Sequence, residues 1–143
     1  MTSRKIDAFV SRCAVARLGV ISMGEPYVVP LNFVYIDGTV YFHGALSGRK
    51  IEALKTNPAV CLEFDAMHGV SVEKQTTFYT SVVAWGRAEF LADADQEKKK
   101  QHILEKLCLK YLGSSPVITR EMAEGTAVVA VPLRKVTFRE STE

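Results

Sequence analysis

Short apolar segments joined by tight turns constrain the fold of this chain most strongly. The dipeptide Asp37-Gly38 separates two segments rich in β-branched and aromatic residues, and such a pair is a strong short-range signal for a β-hairpin. A hairpin joins antiparallel strands, whereas a parallel sheet needs long crossover connections. The pattern therefore excludes a doubly wound α/β fold and favours an antiparallel sheet.

Hydrophobic periodicity and turn residues predict the order β-β-β-α-β-β-α-β after a short N-terminal helix. The predicted strands are 14–22, 27–36, 39–43, 59–65, 78–91 and 126–138. The predicted helices are 4–12 with Ser3 as N-cap, 48–56 with Ser47 as N-cap, 93–112 ending at Gly113, and a helical turn over 119–124. The polar segment 66–77 is predicted to be a loop. Six antiparallel strands in a chain of 143 residues would close into a barrel with helices packed outside, as a mainly β, single domain over residues 1–143.

Composition and spacing exclude several classes of protein. A net charge of +2 is too small to indicate a nucleic-acid binder, and no apolar run reaches the roughly 20 residues that a membrane span needs. Cys13, Cys61 and Cys108 lie far apart, and neither they nor His68 and His102 have metal-ligand spacing. The sequence predicts a cytoplasmic protein with no metal site, no nucleic-acid partner and no membrane partner.

The segment 41–50 has the pattern of a phosphate site. It runs from a strand through small residues into a helix that opens on Arg49 and Lys50, and a helix start offers free N–H groups and a positive dipole end to an anion. Gly44 and Gly48 lie one residue too close together for a nucleotide-triphosphatase loop, and no G-x-G-x-x-G is present. The alternative interpretation is a helix start with two surface cations.

Pro30 and Asn32 interrupt an otherwise apolar predicted strand. Proline removes a ladder donor, so the backbone here can stay open for the edge of a planar ligand. The alternatives are an edge strand at Pro30 and a hydrogen-bonded core amide at Asn32.

Three other residues have two interpretations each. His43 ends a predicted strand just before the turn, and a lone histidine is more often structural than catalytic. Gly86 marks either a bulge or a close approach of another backbone. Trp85 is predicted to be a core residue or a dimer contact.

Several separate segments together resemble the pyridoxamine 5′-phosphate oxidase-like, FMN-binding split-barrel family, and most closely its branch with the nitroimidazole-resistance flavoproteins. Their order and spacing over residues 18–112 make the resemblance specific. The matching segments are Leu18-Gly19, 26–33, 41–45, 48–50, Asn57-Pro58, 81–83 and 86–88.

The resemblance implies a homodimer of split β-barrels with two FMN sites at the subunit interface. It implies that one strand lies along the flavin, that Arg49 and Lys50 hold the phosphate, and that His43 lies near the flavin as the candidate catalytic residue. The residues that it places at FMN are Val28, Val29, Pro30, Leu31, Asn32, Phe33, His43, Gly44, Ala45, Ser47, Gly48, Arg49, Lys50, Ser81 and Val82.

The resemblance favours an FMN-dependent oxidoreductase with NADH or NADPH as electron donor. The apolar second strand and the ending Thr137-Phe138-Arg139 depart from the vitamin B6 oxidase, which argues against oxidation of pyridoxamine phosphate. The alternatives are a non-catalytic flavin-binding or storage protein, and a split barrel that binds haem or a deazaflavin.

Overall fold

Eight antiparallel strands form one continuous sheet in the computed structural model, which describes residues 3–142. Their order across the sheet is β2-β1-β5-β6-β8-β4-β3, and β7 also pairs with β8. The strands are β1 (Ala16–Ser22), β2 (Glu25–Leu31), β3 (Val34–Ile36), β4 (Thr39–Gly44), β5 (Ala59–Ser71), β6 (Thr76–Arg87), β7 (Glu89–Phe90) and β8 (Ala127–Ser141). The helices are α1 (Arg4–Arg12), α2 (Arg49–Thr56), α3 (Asp93–Leu112) and α4 (Arg120–Glu124). The mainly β, antiparallel prediction is confirmed.

The two ends of the sheet are neighbours along the chain. β2 and β3 are the terminal strands of the path, yet only Asn32 and Phe33 separate them. Three residue steps span at most about 11 Å, so the sheet has to curl until its ends almost meet. The result is a barrel that is split between β2 and β3.

The predicted six strands become eight because two of them are broken. The predicted strand 27–36 divides at Asn32-Phe33, and the predicted strand 78–91 divides at Ala88. The N–H of Ala88 donates to the carbonyl of Pro58, 2.8 Å away, rather than to a strand neighbour.

The predicted loop 66–77 is wrong. β5 continues to Ser71 and β6 begins at Thr76, with a bulge between Met67 and Gly69 in their pairing. Met67 and Val70 are exposed, so this part of the hairpin has no buried face. A strand without a buried face lacks the apolar alternation that identifies strands in a sequence.

Two apolar clusters stabilise the fold. The first lies inside the barrel, and the second lies between the sheet and the helices α3 and α4. The first includes Leu18, Phe33, Phe42, Leu62, Phe64 and Val82, with Phe9 and Val10 of α1. The second includes Val34, Tyr41, Ile103, Leu104, Leu107, Ile118 and Val128.

Most predicted helix ends are confirmed. Ser3 accepts a hydrogen bond from the N–H of Ile6 at the start of α1, and Thr119 accepts one from Met122 at the start of α4. Gly113 ends α3 in the left-handed conformation, with φ of 77°, which favours glycine because glycine has no Cβ.

β8 changes partners in its middle. It pairs with β4 up to Pro132 and with β6 from Leu133 onward. At this corner the two backbones approach so closely that a Cβ on Gly86 would collide with the carbonyl oxygen of Pro132 and lie 2.9 Å from Cγ1 of Val131. The predicted close approach at Gly86 is therefore confirmed.

Trp85 lies on the outer face of the sheet and is 37% exposed, so it is not a core residue.

We expect Gly86→Ala to lower the free energy of unfolding by about 1–3 kcal/mol, because the corner has to open to admit a methyl group. Urea unfolding measures this loss. Gly125→Ala is the matched control, since a Cβ there meets its nearest atom at 3.6 Å, and its effect should stay within about 0.5 kcal/mol. Equal stability of both variants would contradict the close approach.

Candidate cofactor-binding site

The N-terminus of α2 has no side-chain cap. Its N-cap residue is Gly48, with φ of 126° and ψ of 170°, and no side chain accepts a hydrogen bond from the first turn. The prediction that Ser47 caps the helix is therefore wrong; Ser47 is exposed one residue before the cap. The first backbone bond at this end runs from the N–H of Glu52 to the carbonyl of Gly48. The earlier N–H groups of the helix stay available to an anion.

Arg49 turns towards the β1–β2 hairpin. Its Nε donates to Oγ of Ser22 at 2.9 Å, and its guanidinium carbon lies 3.9 Å from the ring centroid of Tyr27. Ser22 is 3% exposed, so the hydroxyl group is a fixed acceptor. The remaining guanidinium donors face a cavity of about 460 Å³ between α2 and the hairpin.

Lys50 turns towards β4 instead. Its Nζ lies 5.7 Å from the ring centroid of Phe42 and would lie 3.5 Å from a Cβ on Gly44. Burial lowers the pKa of Lys50, because desolvation disfavours the charged ammonium. Among the side chains that the structure describes, no carboxylate forms an ion pair with Arg49 or Lys50. At the helix start these two cations therefore have no ion-pair partner among those side chains.

His43 lies beside Lys50 at the end of β4. It pairs with Val128 of β8, and its side chain is exposed. Desolvation lowers the pKa of His43, and the positive charge of Lys50 lowers it further. The lowered pKa favours the neutral imidazole, in which one nitrogen can donate and the other can accept.

β2 is an edge strand. Within the described residues it pairs with β1 alone, so the backbone groups on its other side are open. The side chains of Val28, Pro30 and Asn32 are exposed, Val29 is half-buried, and Leu31 is buried. The edge-strand interpretation of Pro30 is confirmed, and the amide of Asn32 faces outward rather than into the core.

The structure brings some of the predicted site residues together and separates others. Gly44 is the last residue of β4, and Ala45 and Ser47 lie in the connection from β4 to α2. Ser81 and Val82 lie on β6, three strand spacings or about 14 Å from β2.

Three of the predicted side chains are buried in the core and can contribute only backbone groups to a ligand. They are Leu31, Phe33 and Val82.

Sequence reasoning missed four residues that organise this region. Ser22 and Tyr27 hold Arg49, whereas Lys110 and Tyr111 at the end of α3 hydrogen-bond to the backbone of Phe33. A serine that ends an apolar strand and a tyrosine on the amphipathic stripe of a helix are too common to signal these contacts.

A larger cavity lies away from this site. It has a volume of about 800 Å³, between α1, the Asp37-Gly38 turn and the corner of β8. None of the predicted site residues lines it.

In the part of the chain that the structure describes, no group of three or more His, Cys, Asp or Glu residues could hold a metal ion. No helix within residues 3–142 has the length and apolarity needed to cross a membrane.

Comparisons with known proteins agree with the fold. A family model described as pyridoxamine 5′-phosphate oxidase matches residues 2–140, and no match was found among curated proteins. Among solved structures, a proposed 5-nitroimidazole antibiotic resistance protein from Bacteroides thetaiotaomicron is 25% identical, with a TM-score of 0.84 over 96% of this chain and 84% of that one. An FAD-binding protein from Mesorhizobium loti is 26% identical, with a TM-score of 0.76 over 99% and 96% of the two chains.

A more distant structure shares the fold alone. The FAD and haem binding protein from Mycobacterium smegmatis is 19% identical, with a TM-score of 0.83 over 100% of this chain and 73% of that one.

We expect the contribution of Lys110 to the free energy of unfolding to become more favourable as the pH rises above about 8. Burial lowers the pKa of Lys110 to about 8, against an ordinary value of about 10.4. Between these values the unfolded state binds more protons, so raising the pH favours the folded state. The measurement is urea unfolding at pH 7, 8 and 9.

Lys110→Met isolates this effect. Cys13 and Tyr111 have raised pKa values and act in the opposite direction, but they remain in the variant. The wild type should therefore gain stability relative to Lys110→Met as the pH rises, whereas Lys106→Met, at an exposed position of the same helix, should follow the wild type. If the free energies of unfolding of the wild type and Lys110→Met differ by the same amount at every pH, the lowered pKa of Lys110 is contradicted.

Proposed function

Because the chain belongs to the pyridoxamine 5′-phosphate oxidase family, we propose that it is an FMN-binding flavoprotein that acts as an FMN-dependent oxidoreductase on a small molecule. The observation that carries this proposal is the start of α2, where an uncapped helix end carries two cations without ion-pair partners, Arg49 on the side of the β1–β2 hairpin and Lys50 on the side of β4. The same site is the basis for choosing FMN over other flavins.

The helix start fits a terminal phosphate. A phosphate monoester carries up to two negative charges near neutral pH, which Arg49 and Lys50 can balance from two sides. Arg49 would offer a planar set of donors, already oriented by Ser22 and Tyr27, and Lys50 a point charge. The free N–H groups of the first helical turn would complete the anion site.

The flavin ring fits the open edge of β2. Open backbone N–H and C=O groups can pair with the polar edge of a heterocycle, and the exposed surfaces of Val28 and Pro30 can cover part of its face. Asn32 adds an outward amide with both a donor and an acceptor. When bound, FMN would supply the redox chemistry, and the protein would bind and orient it.

The similar structures favour a flavin cofactor. One similar structure is a proposed nitroimidazole resistance protein and another is an FAD-binding protein, so a flavin is the cofactor that they favour. The lowered pKa of His43 favours its neutral form, and the imidazole would donate or accept a proton at a ring nitrogen beside the site. We propose NADH or NADPH as the electron donor.

We also propose that the protein is a homodimer through the outer face of the sheet. Val28, Gly19, Cys61 and Trp85 form one row across four neighbouring strands, beside Ile21. Val28, Ile21 and Trp85 are 63%, 39% and 37% exposed. A second copy would cover this apolar face, and the β6 residues Ser81 and Val82 of one copy could then approach the β2 edge of the other.

Arg49→Ala combined with Lys50→Ala should weaken FMN binding at least a hundredfold. Each charge-assisted hydrogen bond to phosphate contributes about 1.5–3 kcal/mol. Binding to riboflavin, which lacks the phosphate, should change less than threefold. Titrations that follow the quenching of flavin fluorescence measure both affinities.

Lys55→Ala is the matched control, because Lys55 lies at the far end of the same helix and pairs with Glu52. Full FMN affinity in the double variant would exclude the phosphate assignment.

The absorption spectrum of the purified protein tests the cofactor itself, since a Soret band without flavin absorption would favour haem. Failure of the FMN-loaded protein to oxidise NADH or NADPH in the presence of a nitroaromatic acceptor would favour the non-catalytic alternative.

Trp85→Arg should convert the dimer into a monomer, because it would replace the largest apolar side chain of this face by a charge that the second copy would bury. Analytical ultracentrifugation should give twice the chain mass of 15.8 kDa for the wild type and the chain mass for the variant. Leu112→Arg, at a 73% exposed position on α3, is the control and should stay dimeric. A monomeric wild type at micromolar concentration would overturn the shared interface.

A further inference from the structure

We propose that Tyr111 is a positioning residue for the site: it fixes the backbone of Phe33 at the split of the barrel and thereby orients Asn32 towards the ligand. Lys110 assists it on the same segment. This inference rests on the proposed function, because it concerns the strand that would lie along the flavin.

The split leaves part of the chain without strand partners. The β2 ladder ends where Leu31 pairs with Ala16, and pairing resumes where Val34 pairs with Tyr41. Asn32 and Phe33 between them belong to no strand. Buried backbone groups need hydrogen-bond partners, so this connection has to find them elsewhere.

The last turn of α3 supplies the missing partners. The N–H of Phe33 donates to Oη of Tyr111 at 3.0 Å, and Nζ of Lys110 donates to the carbonyl of Phe33 at 3.0 Å. The hydroxyl group of Tyr111 donates in turn to the carbonyl of Ala14 at 2.8 Å, just before β1. One phenol therefore connects the chain that enters β1 with the chain that leaves β2.

The side chain of Phe33 fixes the same point. It is fully buried, its ring meets that of Phe64 edge to face at a centroid distance of 5.1 Å, and Nζ of Lys110 lies 3.7 Å from its centroid. The N–H of Phe33 is therefore held by Tyr111, its carbonyl by Lys110 and its ring by Phe64.

These contacts leave Asn32 little freedom. Its neighbour Leu31 is held by the ladder, and its neighbour Phe33 is held by Tyr111 and Lys110, while its own side chain is exposed. Two fixed neighbours define the peptide planes on both sides, and they therefore fix the position and direction of the Cα–Cβ bond of Asn32, from which its amide group extends. Preorganised polar groups bind a ligand more tightly because less ordering is needed on binding.

If Tyr111 had a purely structural role, Tyr111→Phe would lower the free energy of unfolding but would leave the affinity for FMN and the potential of bound FMN unchanged. Tyr35→Phe provides the comparison, because it removes another tyrosine hydroxyl contact, from Tyr35 to Oδ1 of Asp7 at 2.7 Å, away from Asn32. Both variants keep the aromatic ring and should remain folded.

The experiment compares Tyr111→Phe, Tyr35→Phe, Asn32→Ala and the double variant Tyr111→Phe/Asn32→Ala. Three quantities are measured: hydrogen exchange over residues 31–34, affinity for FMN, and the midpoint potential of bound FMN. We expect Tyr111→Phe to raise exchange at least tenfold, to weaken FMN binding about five- to tenfold, and to shift the potential. We expect Tyr35→Phe to change FMN affinity less than twofold.

The double variant tests whether the two residues act together. If Tyr111 acts through Asn32, then Tyr111→Phe should have almost no further effect on FMN affinity once Asn32 is alanine. Additive losses, unchanged exchange in Tyr111→Phe, or unchanged FMN affinity would each overturn the inference. A wild type that does not bind FMN would overturn the proposed function instead, and the inference with it.

Discussion

The change of partner along β8 is the constraint on which the rest of the structure depends. One half of the strand pairs with β4 and the other half with β6, so this strand joins the two parts of the sheet. The backbones can approach at the corner only because residue 86 is glycine. The corner sets the direction of β4, and β4 places His43 and Gly44 beside the start of α2. The location of the candidate site thus follows from packing far from any ligand.

The electrostatics of the site follow from local desolvation rather than from ion pairing. Arg49 is held by a hydroxyl group and an aromatic ring, and Lys50 lies against Phe42 and Gly44. Neither arrangement neutralises the charge. The carboxylate of Glu52, on the same helix, pairs with Lys55 rather than with either cation, and Arg17 pairs with Glu63 and Asp65 on the sheet. The cations therefore remain available for binding.

Sequence reasoning found what depends on local pattern and missed what depends on distant contacts. The hairpin at Asp37-Gly38 was predictable because both residues adopt positive φ, 49° and 78°, in a turn that favours this pair. The break between β2 and β3 at Asn32-Phe33 was not predictable, because the hydrogen-bond partners of Phe33 lie about eighty positions further along the chain.

The candidate site shows the same division. The sequence identified Arg49 and Lys50 as cations at a helix start, but their divergence towards two different elements depends on Ser22, Tyr27 and Phe42. Gly48 rather than Ser47 is the N-cap, in a backbone conformation with φ of 126° that favours glycine; the sequence pattern does not fix a helix boundary to within one residue.

The position of β8 also determines the order in which the fold can form. β8 is the last strand in the described chain, yet it lies between β6 and β4 in the sheet. Before β8 is in place, β3 and β4 have no strand pairing with β5 and β6, and each of these two groups of strands exposes an unpaired edge. Pairing across such sequence distances slows folding and leaves edges open to other chains in the meantime. Nascent chains of this protein should therefore complete the barrel only after synthesis of β8.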